Sequence, residues 1–414
     1  MSLKSSKYRL YPTRKQAEKL QLTLDRTREL YNAALQERRD AYEIIKRRPD
    51  FYDAQARKQA IQAHNITYYS QANQLPEIKD IRQEYRDIHS QVLQEVLRKA
   101  DKTFKAFFAR CKRGDTPGFP RYKGRDRYNS FTYPQGGYSL THDSRVCLSK
   151  IGRVKVKLHR PLEGKVKTCS ITREGTCWYV VFACEVEAEL LPVSDGSVGI
   201  DLGLLHFATL STGETIENPR YFRKGEKKRE KLQQSLSRKK RGSRRRKKAV
   251  KQVAKAHRKV RNQRADFLHK ESRQLVNTYG LMVFEELQPA NMSRRAKPKQ
   301  DENGKYLPNG ASAKSGLNKS IQDAGWNQFV QYCSYKAANA GRIVLTVNPR
   351  YTSQVCSGCG TVKKKELSER WHSCECGTEL DRDHNAALNI LRLGRSQQAS
   401  YPVEAPAFMH GVLH

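Results

Sequence analysis

Four cysteines in two close pairs are the residues whose spacing most directly predicts chemistry. Cys356 and Cys359 form a C-x2-C pair, and Cys374 and Cys376 form a C-x-C pair. Two such pairs joined by a short loop can surround one Zn²⁺ with four thiolates, as in a zinc ribbon. Four sulfur ligands leave no open position for water, so this zinc is expected to be structural. The alternative, a set of buried or disulfide-bonded cysteines, fits paired knuckles of this spacing poorly.

Three acidic residues stand at the ends of predicted strands or turns. Asp201 interrupts the apolar run 198–202, and a carboxylate in a buried strand costs free energy unless it binds a metal or a partner. Glu285 ends another apolar segment, and Asp383 follows the second cysteine pair. Adjacent strand residues point to opposite faces, so only one of Glu285 and Glu286 can face the same side as Asp201. For Asp201 alone, a surface turn residue is the alternative interpretation.

The chemistry that these acids favour is metal-dependent hydrolysis of a phosphodiester. Carboxylates that converge from distant segments repel one another unless cations lie between them. Two Mg²⁺ ions about 4 Å apart would hold them and stabilise both the attacking water and the leaving oxygen. Mg²⁺ prefers oxygen ligands and retains bound waters, so it suits this donor set. We therefore expect Asp201, Glu285 and Asp383 to bind magnesium and to be the catalytic residues.

The composition indicates a polyanionic partner. The 414 residues include 79 Lys and Arg against 42 Asp and Glu, a net charge of +37, which favours nucleic acid first and an anionic membrane surface second. The sequence contains no 18-residue apolar run, so we expect no membrane span. The first residues lack the apolar core of a signal peptide, and ten cysteines without one favour a reducing compartment. We expect a cytoplasmic protein of a bacterium or archaeon, associated with the nucleoid.

Two basic segments are candidates for nucleic-acid contact. Residues 220–264 contain 22 Lys and Arg and two acids, a net of +20 out of +37, on one or two predicted helices with a break at 242–243. Charge this dense repels itself unless a polyanion neutralises it, although a solvated helix face is the usual explanation of a charge run. Residues 119–133 interleave rings with cations, which suits base stacking, but strand aromatics are equally expected in a core. The predicted contacts are Arg121, Tyr122, Lys123, Arg125, Arg238, Lys239, Lys240, Arg241, Arg244 and Arg245.

The elements that must position these residues follow from periodicity and turn chemistry. A short strand at 4–11 is followed by an amphipathic helix over 14–47, for which Thr13 and Gln16 form a possible capping box. Further helical stretches are predicted at about 51–75 and 77–112. Four closely spaced strands then predict a small antiparallel barrel, which the first strand could complete: 145–150, 153–158, 165–171 and 177–187.

The second half of the chain predicts a different, mixed α/β region. A hairpin over 198–210 carries Asp201 near the end of its first strand, which is how RNase H-like folds present their first metal ligand. A buried strand at 281–284, a helix at 320–340 and a strand at 342–347 follow it.

Several segments together resemble the TnpB family, the RNA-guided nucleases encoded by bacterial insertion sequences and related to type V CRISPR effectors. The matching segments keep the family's order over nearly the whole chain, and they are specific only in combination. They are KYRLYPT (7–13), GFPRYKGR (118–125), GIDLGL (199–204), FEELQPANM (284–292), DAGWNQFVQYCSYKA (323–337), YTSQVCSGCG (351–360) and DRDHNAALNI (381–390).

The resemblance implies a RuvC-type centre of three acids. Carried over motif by motif, these are Asp201, Glu285 and Asp383, with Glu286 and Asp381 as neighbours without direct metal contact. It also implies an RNA-guided DNA endonuclease that binds a transposon-derived guide RNA and cleaves target DNA beside a short motif. Base pairing would then supply sequence specificity. The expected partners are guide RNA and target DNA, with no membrane, no small-molecule cofactor and a monomer on the RNA.

The implied architecture is a multi-domain α/β protein. An N-terminal β-barrel, or wedge domain, of residues 1–13 and 114–192 is expected to carry a helical recognition domain inserted at 14–113. An RNase H-like (RuvC) domain of residues 193–350 and 380–394 is expected to carry the zinc ribbon inserted at 351–379. A disordered tail is expected over 395–414.

Two other functions remain compatible with the residues. An unguided RNase H-like nuclease or transposase would keep the three acids without using RNA. A nucleic-acid-binding regulator would use only the basic surface, and acids embedded in apolar strand contexts count against it. The guide sequence, the DNA motif and its readers, the cut positions and the oligomeric state do not follow from the sequence.

Overall fold

The computed structural model describes residues 2–50, 52–63, 66–116, 118–366 and 369–400. These residues fall into two compact units, Met1–Glu187 and Ala188–His414, each with its own hydrophobic core. In the described part of the chain, no helix combines the length and hydropathy that crossing a bilayer requires.

The first unit contains a seven-stranded antiparallel sheet. Its strands are β1 (Ser2–Tyr11), β2 (Ser130–Tyr133), β3 (Tyr138–Thr141), β4 (Arg145–Leu148), β5 (Gly152–Lys157), β6 (Lys165–Glu174) and β7 (Cys177–Val186). They pair in the order β2-β6-β7-β1-β5-β4-β3. The edge strands approach each other, because the Tyr133 hydroxyl donates to Ser149 O at 3.1 Å and its ring centroid lies 6.4 Å from that of Tyr138.

Helices of the first unit pack against this sheet in one core. They are α1 (Arg14–Lys46), α2 (Ala54–Ala63), α3 (Tyr68–Asn73), α4 (Leu75–Ile81) and α5 (Ser90–Lys112), with a 3-10 turn at Gln83–Asp87. The predicted capping box of α1 is present, since Gln16 N donates to Thr13 Oγ1 and Thr13 N to Gln16 Oε1. Arg38 is buried between α1 and α5, where its Nη1 donates to Asp101 Oδ1 at 3.0 Å.

The structure of the first unit corrects two sequence expectations and decides one alternative that the sequence left open. The stretches 51–75 and 77–112 are not two continuous helices, because breaks separate α2 from α3 and a 3-10 turn separates α4 from α5. Strands β2 and β3 occupy a region for which no strand was predicted. Tyr128, Phe131 and Tyr133, candidates for base stacking, are at most 5% exposed and belong to the hydrophobic core.

The second unit is built on a mixed five-stranded sheet. Its strands are β8 (Ser197–Leu202), β9 (His206–Leu210), β10 (Thr215–Glu217), β11 (Leu281–Glu285) and β14 (Ile343–Val347), in the order β10-β9-β8-β11-β14. The first three form antiparallel pairs, whereas β11 pairs in parallel with both β8 and β14. Small hairpins consist of β12 (Lys299–Gln300) with β13 (Tyr306–Leu307), and β15 (Trp371–Ser373) with β16 (Glu379–Asp381).

Helices cover both faces of this second sheet. They are α6 (Tyr221–Lys224), α7 (Glu226–Ser237), α8 (Arg244–Thr278), α9 (Pro289–Met292), α10 (Ala311–Ala324), α11 (Trp326–Ala340) and α12 (Arg382–Ser400). Helices α8 and α11 pack on one face through residues such as Leu275 and Phe329. Helix α12 packs on the other face, where Ile390 contacts the core formed by Val283 and Val347.

Two glycines allow α12 to lie directly on the sheet. A Cβ on Gly199 of β8 would come within 2.1 Å of the Ala387 carbonyl oxygen, and a Cβ on Gly394 would come within 2.4 Å of the Val283 side chain. Contacts this short exclude any side chain at either position. The prediction of a disordered tail is wrong for residues 395–400, because they continue α12. Residues 401–414 lie outside the described residues.

Candidate functional site

Asp201 and Glu285 project from neighbouring parallel strands of the second sheet. The register pairs Ile200 of β8 with Phe284 of β11, so the next residue along each strand brings Asp201 beside Glu285. Ile200 and Phe284 point into the core that α8 and α11 cover. Because side chains alternate along a strand, Asp201 and Glu285 point to the opposite face, where α12 lies.

The third acid, Asp383, is fixed in the first turn of α12. The carboxylate of Asp381 caps this helix: its Oδ1 accepts hydrogen bonds from Asp383 N at 2.8 Å and from His384 N at 3.3 Å. A carboxylate that satisfies the free amides of a helix N-terminus is a stabilising cap. The two aspartates of the D-R-D segment therefore differ in their contacts, since Asp381 serves the backbone and leaves the Asp383 side chain available.

The three acids influence one another electrostatically. Burial raises the pKa of Asp201 well above its usual range, and the negative charges of Glu285 and Asp383 raise it further. Burial also raises the pKa of Glu285, a hydrogen bond from Thr352 opposes this, and the charge of Asp383 adds to it. Carboxylates that repel one another in this way gain free energy when a cation binds between them.

Two arginines lie beside this cluster. Arg382 Nε is 3.6 Å from Asp383 Oδ1, and Arg370 Nη1 is 3.8 Å from Asp383 Oδ2. The positive charge of Arg382 also lowers the pKa of Asp201, although less than the effects that raise it. Glu286, by contrast, is exposed, and its main-chain N–H donates to Val347 O at 2.9 Å.

The four cysteines form a compact cluster in the loop between β14 and α12. Their sulfurs all lie within 4.8 Å of one another, with 3.6 Å between Cys356 and Cys376 and 3.6 Å between Cys359 and Cys374. A tetrahedral ion with Zn–S bonds of about 2.3 Å requires sulfurs about 3.8 Å apart. The predicted convergence of the four cysteines is confirmed, and the cluster fits a structural zinc site.

Hydrogen bonds prepare one of these sulfurs for metal binding. Burial raises the pKa of Cys356, but hydrogen bonds from the main chain of Cys359 and Gly358 and from the side chains of His372 and Thr378 outweigh it. Together they lower the pKa to about 5. Zinc binds the thiolate and not the thiol, so this arrangement favours the ligand form at neutral pH.

Two asparagines connect the cysteine loop to α12. Asn385 Nδ2 donates to Val355 O at 2.7 Å and its Oδ1 accepts from Ser357 N, while Asn389 Nδ2 donates to Thr352 O and Val355 O. Both side chains are buried, and their spacing of four residues places them on the same helix face. Thr352 in turn lies against Glu285. The sequence analysis missed these three residues, although the repeated asparagine in HNAALN offered a signal.

The predicted nucleic-acid contacts are mostly on the surface. In the turn between α7 and α8 and at the start of α8, five of the six predicted contact residues are exposed and Lys239 is half-buried. Arg246 closes this turn, because its Nη1 donates to Leu236 O at 3.0 Å and to Lys239 O at 3.1 Å. In the first unit, Arg121, Tyr122 and Arg125 are exposed and Lys123 is half-buried.

Family models match three parts of the chain. A model described as "Probable transposase" (OrfB_IS605) matches residues 182–296, which include Asp201 and Glu285. A model described as "Cas12f1-like, TNB domain" matches residues 326–390, which include the cysteines and Asp383. A model described as "Helix-turn-helix domain" matches residues 1–46, which here form β1 and the single long helix α1.

A solved structure of low sequence identity supports the fold. The chain aligns with the protein in the "Cryo-EM structure of the Cas12f1-sgRNA-target DNA complex" with a TM-score of 0.54 at 14% identity. The alignment covers 91% of this chain and 82% of the other. At this identity the likeness concerns the fold alone.

Two curated relatives match this chain over most of their own length, and a third matches over less than half of its length. A Streptomyces pristinaespiralis protein named "Putative RNA-guided DNA endonuclease" is 32% identical over 95% of this chain and 90% of its own length. An Escherichia coli K12 protein, "Putative RNA-guided DNA endonuclease InsQ", is 34% identical over 80% of this chain and 81% of its own. The "TnpB-like protein L770" from Acanthamoeba polyphaga mimivirus is 30% identical over 58% of this chain and 46% of its own length. With these matches and the transposase model over residues 182–296, the chain belongs to the TnpB family.

Proposed function

We propose that this protein is an RNA-guided DNA endonuclease that hydrolyses phosphodiester bonds at Asp201, Glu285 and Asp383. The observation that carries the proposal is the pairing of Asp201 with Glu285 on adjacent parallel strands, beneath the helix that carries Asp383. Two curated relatives carry the name "Putative RNA-guided DNA endonuclease", and this chain contains all three acids.

The donor set fits magnesium. Three carboxylates supply the oxygen ligands that Mg²⁺ prefers, and their mutual repulsion favours cation binding. The ligand atoms of the four cysteines gather within 4.8 Å, whereas among the described residues no carboxylate trio does so. We propose that this set, which is more open than the cysteine cluster, holds two Mg²⁺ ions. When bound, Mg²⁺ supplies a Lewis acid for the scissile phosphate and lowers the pKa of the attacking water.

Residues of this chain would orient the centre in distinct ways. The Thr352 hydroxyl holds Glu285 from one side, and the Asp381 cap fixes the helix turn that bears Asp383. Arg370, which is 55% exposed, offers a guanidinium beside Asp383 that can contact a phosphate oxygen. The sheet beneath is covered by α8 and α11 and holds Asp201 and Glu285 at fixed positions.

The proposed architecture assigns each region a part in nucleic-acid binding. The strand order β10-β9-β8-β11-β14 supports an RNase H-like (RuvC) domain over 193–350 and 380–394, with the ribbon 351–379 as its insertion. The curled sheet of the first unit supports a wedge barrel of 1–13 and 114–192 that carries the helices of 14–113. The basic α7–α8 turn supports contact with nucleic-acid phosphates, and we propose a monomer on the guide RNA.

The proposal is tested by a DNA cleavage assay with the protein and the RNA that it binds in the cells in which it is produced. Purifying the chain from cells that also carry the flanking transposon sequence, and sequencing the RNA that accompanies it, identifies the guide. The complex is then incubated with Mg²⁺ and a DNA library randomised beside the target. We expect a cut beside one short motif, no cleavage by Asp201→Ala with binding retained, and normal cleavage by Glu286→Ala. Guide-independent cutting would instead indicate an unguided nuclease, and unchanged cleavage by Asp201→Ala would reject the site.

A further inference from the structure

A cleft in the first unit lies between α1 and the loop that follows α5. Its volume is about 600 Å³, within the range of about 300–1,000 Å³ typical of small-ligand sites. Aromatic rings and cations share its walls, with a single carboxylate, Glu43, among them. The residues used below are Arg39, Tyr42, Lys46, Phe119, Arg121 and Tyr122.

The helical wall follows from the period of α1. Arg39, Tyr42, Glu43 and Lys46 stand at positions i, i+3, i+4 and i+7, so they share one face of the helix. The preceding residue, Arg38, points elsewhere and is buried against Asp101. The face of α1 that carries Arg39, Tyr42, Glu43 and Lys46 therefore does not take part in the packing contacts between helices that hold Arg38.

The loop wall is fixed to the same face of α1. Asn32 Nδ2 donates to Lys123 O at 3.1 Å, and Lys123 N donates back to Asn32 Oδ1 at 2.8 Å. The Tyr122 hydroxyl donates to Gln36 Oε1. The Phe119 ring packs edge-on against Phe107, with centroids 5.2 Å apart. The loop thus runs along α1 as a pre-formed wall.

Cations already face the rings of this cleft. The Arg39 guanidinium carbon lies 5.1 Å from the Tyr122 ring centroid and 5.7 Å from that of Phe119, both in cation–π range. Tyr122 is nevertheless 39% exposed and Tyr42 is 37% exposed. Rings that served only to pack α1 against the loop would be buried as Tyr128 is, at 5%.

We propose that this cleft binds one unpaired nucleobase together with its phosphate. The base stacks on the Tyr122 ring, and the phosphate is held by Arg39, Arg121 or Lys46. Three cations against one carboxylate favour an anionic ligand, and stacking on an aromatic ring accepts any base. This inference rests on the proposed function. It adds Arg39 and Lys46 of α1 to the nucleic-acid contacts already predicted for the loop residues Arg121 and Tyr122. Single-stranded DNA and RNA offer the same chemistry.

The test separates stacking from overall binding. The protein carries Asp201→Ala so that the probes remain intact, and it is titrated with a short oligothymidine that contains one 2-aminopurine. A matched oligouridine RNA distinguishes the two sources of the ligand. Fluorescence reports stacking of the probe base, and anisotropy reports total binding. We expect quenching on binding, its loss with Tyr122→Leu, and affinity about 5- to 150-fold weaker in that variant.

Two further variants keep the result interpretable. Tyr122→Phe retains the ring and should retain the quenching, whereas Tyr306→Leu removes a 71% exposed tyrosine of the second unit and should change nothing. Thermal unfolding checks that each variant is folded. Quenching that survives in folded Tyr122→Leu overturns the inference. A different result separates the two proposals. If the protein with native Asp201 does not cleave DNA but the quenching is still observed, the proposed nuclease activity is contradicted and the proposed base-binding cleft is not.

Discussion

The Thr352 hydroxyl lies 2.6 Å from Glu285 Oε1, and this contact joins the loop before the cysteine ribbon to a half-buried acid of the sheet. Thr352 is itself buried, and its carbonyl accepts a hydrogen bond from Asn389 of α12. One small residue therefore contacts two of the segments that supply the acids.

Replacing Thr352 with Val should move the pH dependence of cleavage. The hydrogen bond stabilises the ionised form of Glu285, so its loss raises the pKa of that carboxyl. The acidic limb of the pH–rate profile then shifts to higher pH, and the rate near neutrality falls by about tenfold. Thr352→Ser keeps the hydroxyl and should keep the wild-type profile. Matching profiles for the Val and wild-type proteins would contradict this role.

Asp201→Asn should stabilise the metal-free protein while it abolishes cleavage. The pKa of Asp201 is raised in the folded state, so the folded protein favours the protonated carboxyl. This contribution to the free energy of unfolding is fully present below the unfolded pKa of about 4, and it is lost as pH rises through the folded pKa. Asparagine carries no charge, so the variant does not lose this stability as the pH rises. Thermal unfolding in a chelator should show a higher Tm for the variant at pH 7, and added Mg²⁺ should raise the Tm of the wild type more than that of the variant.

Removal of zinc should disturb the acidic centre as well as the ribbon. Cys356→Ser eliminates one of four ligands, so metal analysis should show a substoichiometric zinc content and cleavage should fall. The cause is that the loop 352–357 is held between the ribbon and α12. Cys111→Ser, an exposed cysteine of α5, is the control and should retain one zinc per chain. A wild-type protein without zinc would reject the metal assignment.

Asn389→Ala should lower both stability and rate. Its buried amide donates to Thr352 O at 2.9 Å and to Val355 O at 2.7 Å, and removing the donor costs about 1–3 kcal/mol in the free energy of unfolding. Denaturant unfolding measures that cost, and single-turnover cleavage measures the displacement of Thr352. Gln397→Ala, on an exposed position of the same helix, should leave both quantities unchanged.

The buried Lys336 should cause the free energy of unfolding to increase with pH in alkaline solution. Burial lowers its pKa to about 8, aided by the charge of Arg273 and opposed by Cys333, while Nζ donates to Ser272 Oγ and His269 O at 2.6 Å each. The unfolded chain binds the proton more tightly, so the free energy of unfolding increases as pH rises from about 8 to about 10.4. Lys336→Met should flatten this increase, and the exposed Lys248→Met should not.

Some of the site could be predicted because single residues broke local patterns. Asp201 interrupts an apolar run, and the cysteine pairs have a spacing that few other functions explain. Strand alternation limited the choice between Glu285 and Glu286, and the structure leaves Glu286 exposed. The metal-binding and catalytic roles of the acids stay predictions.

Other features depend on long-range contacts that local patterns do not encode. Tyr128 and Tyr122 occur in the same aromatic and basic segment, yet one is buried in the core and the other lines a cleft. Their difference arises from where α1 meets the loop, for example at Asn32 and Lys123, which are distant in sequence. Thr352 and Asn389 were missed for the same reason, because their importance lies in partners from separate elements.

The order of the elements along the chain has a consequence for protein synthesis. When a ribosome has completed β14, the nascent chain contains every strand of the five-stranded sheet and the first two acids, but Asp383 and α12 are still to come. The sheet face with Val283 and Val347 then lacks its covering helix, and Gly199 lacks the Ala387 carbonyl against which it packs closely. An incompletely translated polypeptide therefore lacks the third acid of the proposed centre, and under the proposed function it would not cleave DNA.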